Sequence, residues 1–221
     1  MSKPIKIDFV SDVVCPWCAV GLNALEQAIA RVGDELQVEL HFHPFELNPQ
    51  MAAEGEDVTE HLTRKYGISE AQVAQNGEAI RVRGEALGFT FDMARRRRIY
   101  NTFDAHRLLH WAGELGAQQQ RDLKHALLRA YFTEGENVSS PEVLAKVAEE
   151  VGLDGARAKA ILASDEYAEA VRAQETFYQQ QGIQAVPSVI FNDRHLVQGG
   201  QPVELFEQAL RQLSGIATPA A

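Results

Sequence analysis

The apolar positions near the start of the chain predict a strand, a helix and a second strand. Ile5, Ile7 and Phe9 alternate with polar residues, as in a half-buried β-strand. A helix is then expected from about Cys15, because the next apolar residues fall four, three, four and three positions apart. They are Cys18, Leu22, Leu25, Ile29 and Val32. Alternation over 36–42 predicts the second strand, and the intervening helix predicts that the two strands are parallel.

The middle of the chain has the pattern of a helical segment. After a loop over 44–56, capping residues and glycines mark the ends of successive helices up to about residue 181. The expected N-terminal caps are Ser69, Asn101, Ser140, Asp154 and Ser164, and a further helix contains the apolar residues Leu123, Leu127 and Tyr131. The whole segment therefore looks helical.

Strand character returns near the end of the chain. Residues 187–191 predict a strand, 192–194 a turn, and Leu196 and Val197 its hairpin partner. Pro202 is expected to open a last helix, and the tail from Ser214 onward is expected to fray. The predicted fold is α/β: residues 1–49 and 164–221 form a small α/β domain, and residues 50–163 form a helical insertion between its halves.

Composition and charge narrow the classes of function. The 221 residues include 21 Lys and Arg against 31 Asp and Glu, a net charge of −10. Nucleic-acid binders usually carry a basic footprint, so no nucleic-acid partner is expected. The chain has neither an apolar run long enough for a membrane span nor an N-terminal secretory signal, which predicts a cytoplasmic protein. The one basic run, 95–98, is interpreted as a solvated loop or helix start; an anion or RNA contact is the alternative.

Two cysteines carry the candidate chemistry. Cys15 and Cys18 lie three residues apart in the motif CPWC, where the first strand gives way to the first helix. The free N–H groups at a helix N-terminus stabilise a thiolate, so Cys15 is predicted to be the exposed, attacking thiol. Cys18 begins the buried stripe and is predicted to be the shielded, resolving thiol. Pro16 fits the first helical turn, and Trp17 is interpreted as an exposed aromatic rim for substrate, with simple packing as the alternative.

Several weaker patterns in the sequence have ordinary structural explanations. On spacing alone, Pro187 is a trans proline that ends a loop. His106, His110 and Glu114 share a helix face, which suits a polar surface better than a metal site. His41 and His43 could complete a zinc site with the two cysteines only on paper, because the spacing is wrong for a zinc finger. Asp104 and Glu46 are lone carboxylates, and nothing in the sequence pairs them for acid–base chemistry. No metal is expected.

The chain resembles the thioredoxin superfamily, DsbA-like branch, and more narrowly the FrnE-like group, which is related to the 2-hydroxychromene-2-carboxylate isomerases. The resemblance rests on the segments DFVSDVVCPWCAVG, FHPFELNPQM, NTFDAHRLLHWA, RAYFTEGENV, LASDEYAEAV and GIQAVPSVIFNDRHLVQGGQP. It implies a thioredoxin fold with a large all-helical insertion. It also implies that Pro187 is cis and lies beside Cys15 and Cys18, where its ring excludes metal, and that Val186 offers its backbone to a bound peptide or glutathione.

The expected function is therefore that of a thiol-disulfide oxidoreductase, a disulfide reductase or isomerase that acts through a mixed disulfide. The resemblance makes Cys15 the nucleophile and Cys18 the resolving thiol, with no bound cofactor besides the redox-active Cys15–Cys18 disulfide. Expected partners are protein or small-molecule thiols and disulfides, with glutathione as a candidate and no membrane partner; the oligomeric state is left open. The alternatives are a glutathione-dependent isomerase or transferase of the 2-hydroxychromene-2-carboxylate isomerase type and a non-catalytic binding module. In the related isomerases the nucleophile is commonly serine, so the two thiols favour redox chemistry.

Overall fold

A computed structural model of the chain describes residues 4–215, which form six strands and nine α-helices. The strands are β1 Ile5–Ser11, β2 Val38–Pro44, β3 Glu56–Asp57, β4 Arg98–Ile99, β5 Ser188–Phe191 and β6 His195–Gln198. The helices are α1 Pro16–Val32, α2 Val58–Tyr66, α3 Glu70–Ala86, α4 Phe103–Leu115, α5 Ala117–Phe132, α6 Pro141–Glu150, α7 Gly155–Leu162, α8 Ala168–Gln180 and α9 Val203–Ser214. Within this part of the chain, no helix is both long enough and apolar enough to cross a membrane.

A mixed four-stranded sheet with the strand order β2-β1-β5-β6 carries the candidate site. Strand β1 runs parallel to β2, with Phe9 opposite Phe42, and antiparallel to β5, with Phe9 opposite Val189. The predicted parallel pair and the predicted C-terminal hairpin are both confirmed. Strand β2 begins and ends two residues later than predicted, because a 3₁₀ turn over Gly33–Glu35 intervenes after α1.

Helices cover both faces of this sheet. Helix α1 packs against α9, while α4, α5 and α8 pack against β2. Successive residues of a strand point to opposite faces, so Phe9 and Val10 serve different layers. Phe9 belongs to the main hydrophobic cluster, and Val10 packs with Tyr178 of α8 and Ile183 in a smaller one. The end of β1 that leads into α1 is thus held between two packed layers.

The segment that was expected to be wholly helical also contains a short antiparallel ladder. Strands β3 and β4 pair Glu56 with Ile99 and Asp57 with Arg98. Gly55 makes this close approach possible: its φ is +67°, and a Cβ there would lie 2.2 Å from the carbonyl oxygen of Ile99. Two residues per strand are too few to produce a readable alternation, which is why the pattern of the sequence did not predict them.

The basic run at 95–98 lies in the loop and strand before α4, and its four arginines differ in burial. Arg95, Arg97 and Arg98 are exposed, as the solvated-loop interpretation predicted. Arg96 is buried: its guanidinium lies 5.4 Å from the ring centre of Tyr131 and 5.2 Å from that of Phe132. One member of the run is therefore a core residue, held by cation–π contacts.

Two predicted helix starts are displaced, and the tail is only partly described. The helix expected from Ser164 begins at Ala168, and the Ser164 hydroxyl instead accepts the Glu166 N–H inside a turn. Asn101 accepts the Phe103 N–H one residue before the cap of α4. Ser214 is the last residue of α9, and the remainder of the tail expected to fray, 216–221, lies outside the described residues.

Candidate active site

The CPWC motif lies where β1 leads into α1, as predicted. Cys15 occupies the cap position and Pro16 the first turn of α1, where a missing N–H breaks no helical bond. The Cys15 N–H donates to the Asp12 carbonyl over 3.3 Å, and the Cys15 carbonyl accepts from Cys18 and Ala19 at 3.1 and 3.3 Å. These bonds fix the first turn, so that the two thiols face each other across one helical turn.

The Val186–Pro187 turn lies against this pair of thiols. The peptide bond before Pro187 is cis, as the resemblance implied. The Cys15 thiol donates to the Val186 carbonyl at an Sγ–O distance of 3.7 Å. Gly21 of α1 leaves room for the proline ring, because a Cβ at that position would lie 3.0 Å from Pro187 Cγ. The expected position of Pro187 beside Cys15 is therefore confirmed.

Both cysteines are free thiols and both are buried. Cys18 is 0% exposed, as predicted, but Cys15 is only 4% exposed. The prediction that Cys15 is an exposed thiol is therefore wrong. Its position at the helix terminus does not by itself expose it, because the Val186–Pro187 turn packs over its sulfur. Access of a disulfide to Cys15 consequently requires contact with that turn.

The two thiols differ in acidity. A hydrogen bond from the Cys18 thiol lowers the pKa of Cys15, and the backbone N–H groups of Cys18 and Trp17 act in the same direction against burial and the Asp12 carboxylate. Burial raises the pKa of Cys18 well above its ordinary value, and the neighbouring Cys15 adds to this effect. Cys15 is therefore the thiol that ionises first, in agreement with the order predicted from the helix terminus.

Aromatic and cationic side chains form the rim of the site. Trp17 is 39% exposed, and the guanidinium of Arg83 lies 5.8 Å from its ring centre. Arg83 also donates to the Gly200 carbonyl over 2.8 Å, which joins α3 to the segment after β6. Burial raises the pKa of the exposed Tyr66, and negative charge on Cys15 contributes, so this phenol lies within electrostatic range of the thiol.

Three buried ionisable side chains near the dithiol were not assigned to the site from the sequence. They are Asp12, His106 and Lys124, which are 0%, 3% and 1% exposed. Asp12 Oδ2 accepts the Leu47 N–H over 2.8 Å, and His106 Nε2 lies 3.4 Å from Asp12 Oδ1. Burial opposes ionisation of Asp12, but His106 and the Leu47 N–H hold its pKa below the ordinary value.

The other histidines and carboxylates considered from the sequence do not converge on one point. His106 faces Asp12, whereas His110 Nε2 lies 3.8 Å from Glu114 Oε1. His43 Nε2 lies 2.8 Å from Asp8 Oδ1 and packs against Tyr178. Across residues 4–215, no three His, Cys, Asp or Glu side chains are grouped as a metal site.

The two lone carboxylates of the sequence, Asp104 and Glu46, each form an ion pair with an arginine. Asp104 accepts from Arg107 over 2.8 Å, one helical turn away, and Glu46 pairs with Arg172 of α8. Sequence spacing alone could not show the second pair, because its partners are 126 residues apart.

The sheet order, the cis proline and the dithiol at the start of α1 agree with a comparison against protein families. The model of the DSBA-like thioredoxin domain matches residues 6–211. The chain belongs to this family. Its fold is accordingly the thioredoxin-like DsbA fold with helices inserted between β2 and β5, as predicted.

Individual relatives are similar to this DSBA-like protein over nearly its full length. The uncharacterized protein YwbO of Bacillus subtilis is 31% identical over 207 residues, which are 93% of this chain and 96% of YwbO. The crystal structure of a probable DsbA oxidoreductase from Streptomyces coelicolor is 35% identical, with a TM-score of 0.89, and the match covers 98% of this chain and 93% of that one.

A more distant relative shares the fold. The cytosolic disulfide reductase DsbM from Pseudomonas aeruginosa, solved with GSH, is 18% identical with a TM-score of 0.62, and the match covers 94% of this chain and 98% of that one. The DSBA-like protein described here is therefore a member of a family of thiol-disulfide oxidoreductases.

Proposed function

We propose that this protein is a cytoplasmic thiol-disulfide oxidoreductase that reduces or rearranges disulfides through Cys15 and Cys18. The observation that carries the proposal is the pairing of two free thiols of opposite acidity at the start of α1: the pKa of Cys15 is lowered and that of Cys18 is raised. A thiolate is the attacking species in disulfide exchange, and a thiol held protonated nearby can complete the exchange afterwards.

The proposed reaction has two balanced steps. The Cys15 thiolate attacks one sulfur of the substrate disulfide, a mixed disulfide forms, and the other sulfur leaves as a thiolate that takes a proton from solvent. Cys18 then loses its proton and attacks Cys15 Sγ, which releases the second substrate sulfur and leaves the Cys15–Cys18 disulfide. The protein loses two electrons and the substrate gains them. A reducing thiol restores the dithiol by the reverse exchange.

Substrate binding is proposed at Pro16, Trp17 and Val186. The indole of Trp17 is the exposed aromatic surface beside Cys15, and Pro16 is half-buried between them in the chain. The Val186 carbonyl already accepts from the Cys15 thiol, so an extended peptide or glutathione that lies along this turn would bring its sulfur to Cys15. Main-chain contacts of this kind bind many different sequences, which suits an enzyme of broad substrate range.

Glutathione is proposed as a partner and the cytoplasm as the location. The support is the fold shared with DsbM, whose structure is described as a cytosolic disulfide reductase with GSH. The presence of both thiols favours redox chemistry over a glutathione-dependent isomerisation of the 2-hydroxychromene-2-carboxylate type. The two functions predict different essential residues, because an isomerase of that type works without a second cysteine.

The experiment that tests the proposal is a comparison of Cys18→Ser with Cys15→Ser. In a single turnover without added thiol, release of both sulfurs of a mixed glutathione disulfide or of a disulfide-bonded protein is expected in the wild type and in neither variant. Cys18→Ser should trap substrates as mixed disulfides that a reductant releases, and mass spectrometry of the trapped species identifies them. Cys15→Ser is the matched control and should trap none.

The opposite results would reject the proposal. If Cys18→Ser retained full turnover with a chromene carboxylate and glutathione while the wild type reduced no disulfide, the protein would be an isomerase. If neither activity depended on Cys15, the geometry of the site would serve binding alone.

A further inference from the structure

A buried lysine lies on α5, the helix that packs against α4 and β2. Lys124 of α5 is 1% exposed, and within the described residues no side chain forms a hydrogen bond with its ammonium group. Lysine is rarely buried without a partner, because burial of an unpaired ammonium is costly. One turn earlier, Gln120 anchors this face of α5 by hydrogen bonds of 3.1 Å to both the N–H and the carbonyl of Phe42. The position of Lys124 is therefore fixed by the fold.

The neighbours of Lys124 are the thiols and the charges behind them. Its ammonium group interacts electrostatically with Cys18, Asp12 and Cys15, and these interactions oppose the lowering of its pKa by burial. Lys124 and His106 of α4 also line one cavity of about 10 Å³. A cavity of this size is too small for a substrate. Lys124 can therefore influence the reaction only through the groups of the protein.

The remaining titratable groups around the cavity are engaged elsewhere. His43 of β2 and His110 of α4 complete its ionisable lining. His43 pairs with Asp8, and His110 lies near Glu114. His106 faces Asp12. Lys124 is the one lysine in this lining, and it shares the cavity with His106, which lies 3.4 Å from the carboxylate of Asp12. The Asp12 carbonyl in turn accepts from the Cys15 N–H.

The effect of Lys124 falls mainly on the second thiol. Its charge lowers the pKa of Cys18 against burial, whereas the pKa of Cys15 is governed by the Cys18 thiol and by backbone N–H groups. Once Cys15 is part of a mixed disulfide it carries no charge, so the cation then faces Cys18 and Asp12. Resolution requires Cys18 to ionise at this stage.

We propose that Lys124 is a positioning residue whose ammonium group is the counter-ion of the Cys18 thiolate during resolution of the mixed disulfide. The inference rests on the function proposed above. The Cys18 thiol gives its proton to solvent, and its thiolate attacks Cys15 Sγ. The bond between Cys15 and the substrate sulfur breaks, and the electron pair leaves with that sulfur, which takes a proton from solvent.

The test separates the two steps with an aromatic disulfide that releases one coloured thiolate in each step. In Lys124→Met the first release should keep its rate within about twofold, and the second should slow about tenfold at neutral pH. A lost counter-charge that shifts the pKa of Cys18 by about two units lowers the thiolate about 100-fold, while the higher pKa raises nucleophilicity about tenfold. The pH at which the second release reaches half its maximum rate should rise.

Three further variants complete the experiment. Lys124→Gln is also neutral and should behave as Lys124→Met, whereas Lys124→Arg keeps the charge and should restore most of the rate. Lys159→Met removes an exposed lysine of α7 and should leave both releases unchanged. Circular dichroism and a cooperative melt establish that each variant is folded.

The outcomes distinguish this inference from the proposed function. An unchanged second release in Lys124→Met, or a folded Lys124→Arg that is as slow as Lys124→Met, would overturn the role of Lys124 and leave the proposed function standing. A wild-type protein that gives no first release would overturn both.

Discussion

The thiols of the CPWC motif are chemically different although they belong to the same helical turn. Cys15 lies at the N-terminus of α1, where N–H groups point at its sulfur, and it accepts a hydrogen bond from the Cys18 thiol. Cys18 lies one turn inside the core, where burial disfavours its charge. A single turn of helix therefore separates a thiol that ionises readily from one that stays protonated.

Alkylation of the reduced protein tests this difference. A small neutral reagent should modify Cys15 first, with a half-maximal pH below the ~8.5 of a free thiol, and Cys18 chiefly after unfolding. Tandem mass spectrometry locates the label within the peptide that contains both residues. Because the Cys18 thiol is the largest cause of the lowered pKa of Cys15, Cys18→Ala should raise this pH, and Cys18→Ser, which keeps a donor, should raise it less.

Faster labelling of Cys18, or a half-maximal pH for Cys15 near that of a free thiol, would contradict the assigned roles. The rate itself is expected to depend on reagent size, because Cys15 is 4% exposed and a bulky reagent must displace the Val186–Pro187 turn. Comparing two reagents of different size separates access from acidity.

At the residue scale, the sequence predicts the dithiol but not the buried ionisable side chains near it, Asp12, His106 and Lys124. Cys15 and Cys18 stand out because they are close together at a strand-to-helix boundary. Lys124 follows Leu123 in an apolar stripe, yet long cationic side chains at such positions usually reach solvent. What Lys124 faces depends on how α5 packs against β2 and α4, and tertiary packing of this kind is not encoded in local spacing.

A glycine in α1, the helix that carries the dithiol, allows close packing against the Val186–Pro187 turn. Gly21 lies one turn after Cys18, and a Cβ there would lie 3.0 Å from Pro187 Cγ and 3.5 Å from Gly200 Cα. Both neighbours belong to the segments on either side of the C-terminal hairpin. The position of the turn over Cys15 therefore depends on the absence of a side chain at this point of α1.

Gly21→Ala should consequently displace the proline turn. We expect slower attack by Cys15 and a free energy of unfolding lower by about 1 kcal/mol, because overpacking of about 1–3 kcal/mol exceeds the gain in helix propensity. Urea unfolding and the rate of mixed-disulfide formation measure the two effects. The matched control is Gly77→Ala in α3, where a Cβ would meet nothing within 4 Å.

The control should behave in the opposite way. Gly77→Ala is expected to raise the free energy of unfolding by about 0.5–1 kcal/mol and to leave thiol chemistry unchanged. Equal thiol reactivity in Gly21→Ala and the wild type would show that the turn tolerates a methyl group, and would remove Gly21 from the account of the site.

At the element scale, long periodic segments were predicted well and short ones were not. The parallel β1–β2 pair, α1 and the C-terminal hairpin follow from alternation and capping over many residues. The β3–β4 ladder has only two residues on each side, and its existence depends on a backbone approach at Gly55 that joins distant parts of the chain. Such contacts are visible only in three dimensions.

In the whole molecule, one arginine holds α4 against the connection between α7 and α8. Arg107 is 4% exposed. Its guanidinium donates to the carbonyls of Ile161, Ser164 and Glu166 and to the Asp104 carboxylate. Ile161 lies at the end of α7, and Ser164 and Glu166 lie in the connection outside any helix, so Arg107 joins α4 to both.

Arg107→Met is expected to lower the free energy of unfolding by about 3 kcal/mol, because it removes the charge-assisted hydrogen bonds of a buried guanidinium. The midpoint of urea unfolding measures this loss. Arg64→Met, which removes an exposed arginine of α2, is the matched control and should change stability by less than about 0.5 kcal/mol. Similar midpoints for the two variants would contradict the role given to Arg107.

The division of the chain into 1–49 with 164–221, and 50–163, remains a proposal. The sequence order of strands and helices suggests it. One hydrophobic cluster nevertheless contains side chains from both parts, among them Phe9, Leu25, Leu108 and Leu127. We propose the insertion as a unit of sequence that is packed on the same core as the sheet.

Because folding lowers the pKa of Cys15, the reduction potential of the dithiol is linked to the free energy of unfolding. In a thermodynamic cycle, the reduced and disulfide forms differ in free energy of unfolding by the amount by which the dithiol potential differs between folded and unfolded chains, and about 30 mV corresponds to about 1.4 kcal/mol. At neutral pH Cys18 is protonated in both the folded and the unfolded reduced chain. Of the two cysteines, therefore, only Cys15 makes this difference in stability depend on pH. Its stabilising effect on the reduced fold grows as the pH rises from the folded towards the unfolded pKa, and it is lost as the pH falls below the folded value. A disulfide exchanged with a substrate thus changes how firmly the enzyme itself is folded.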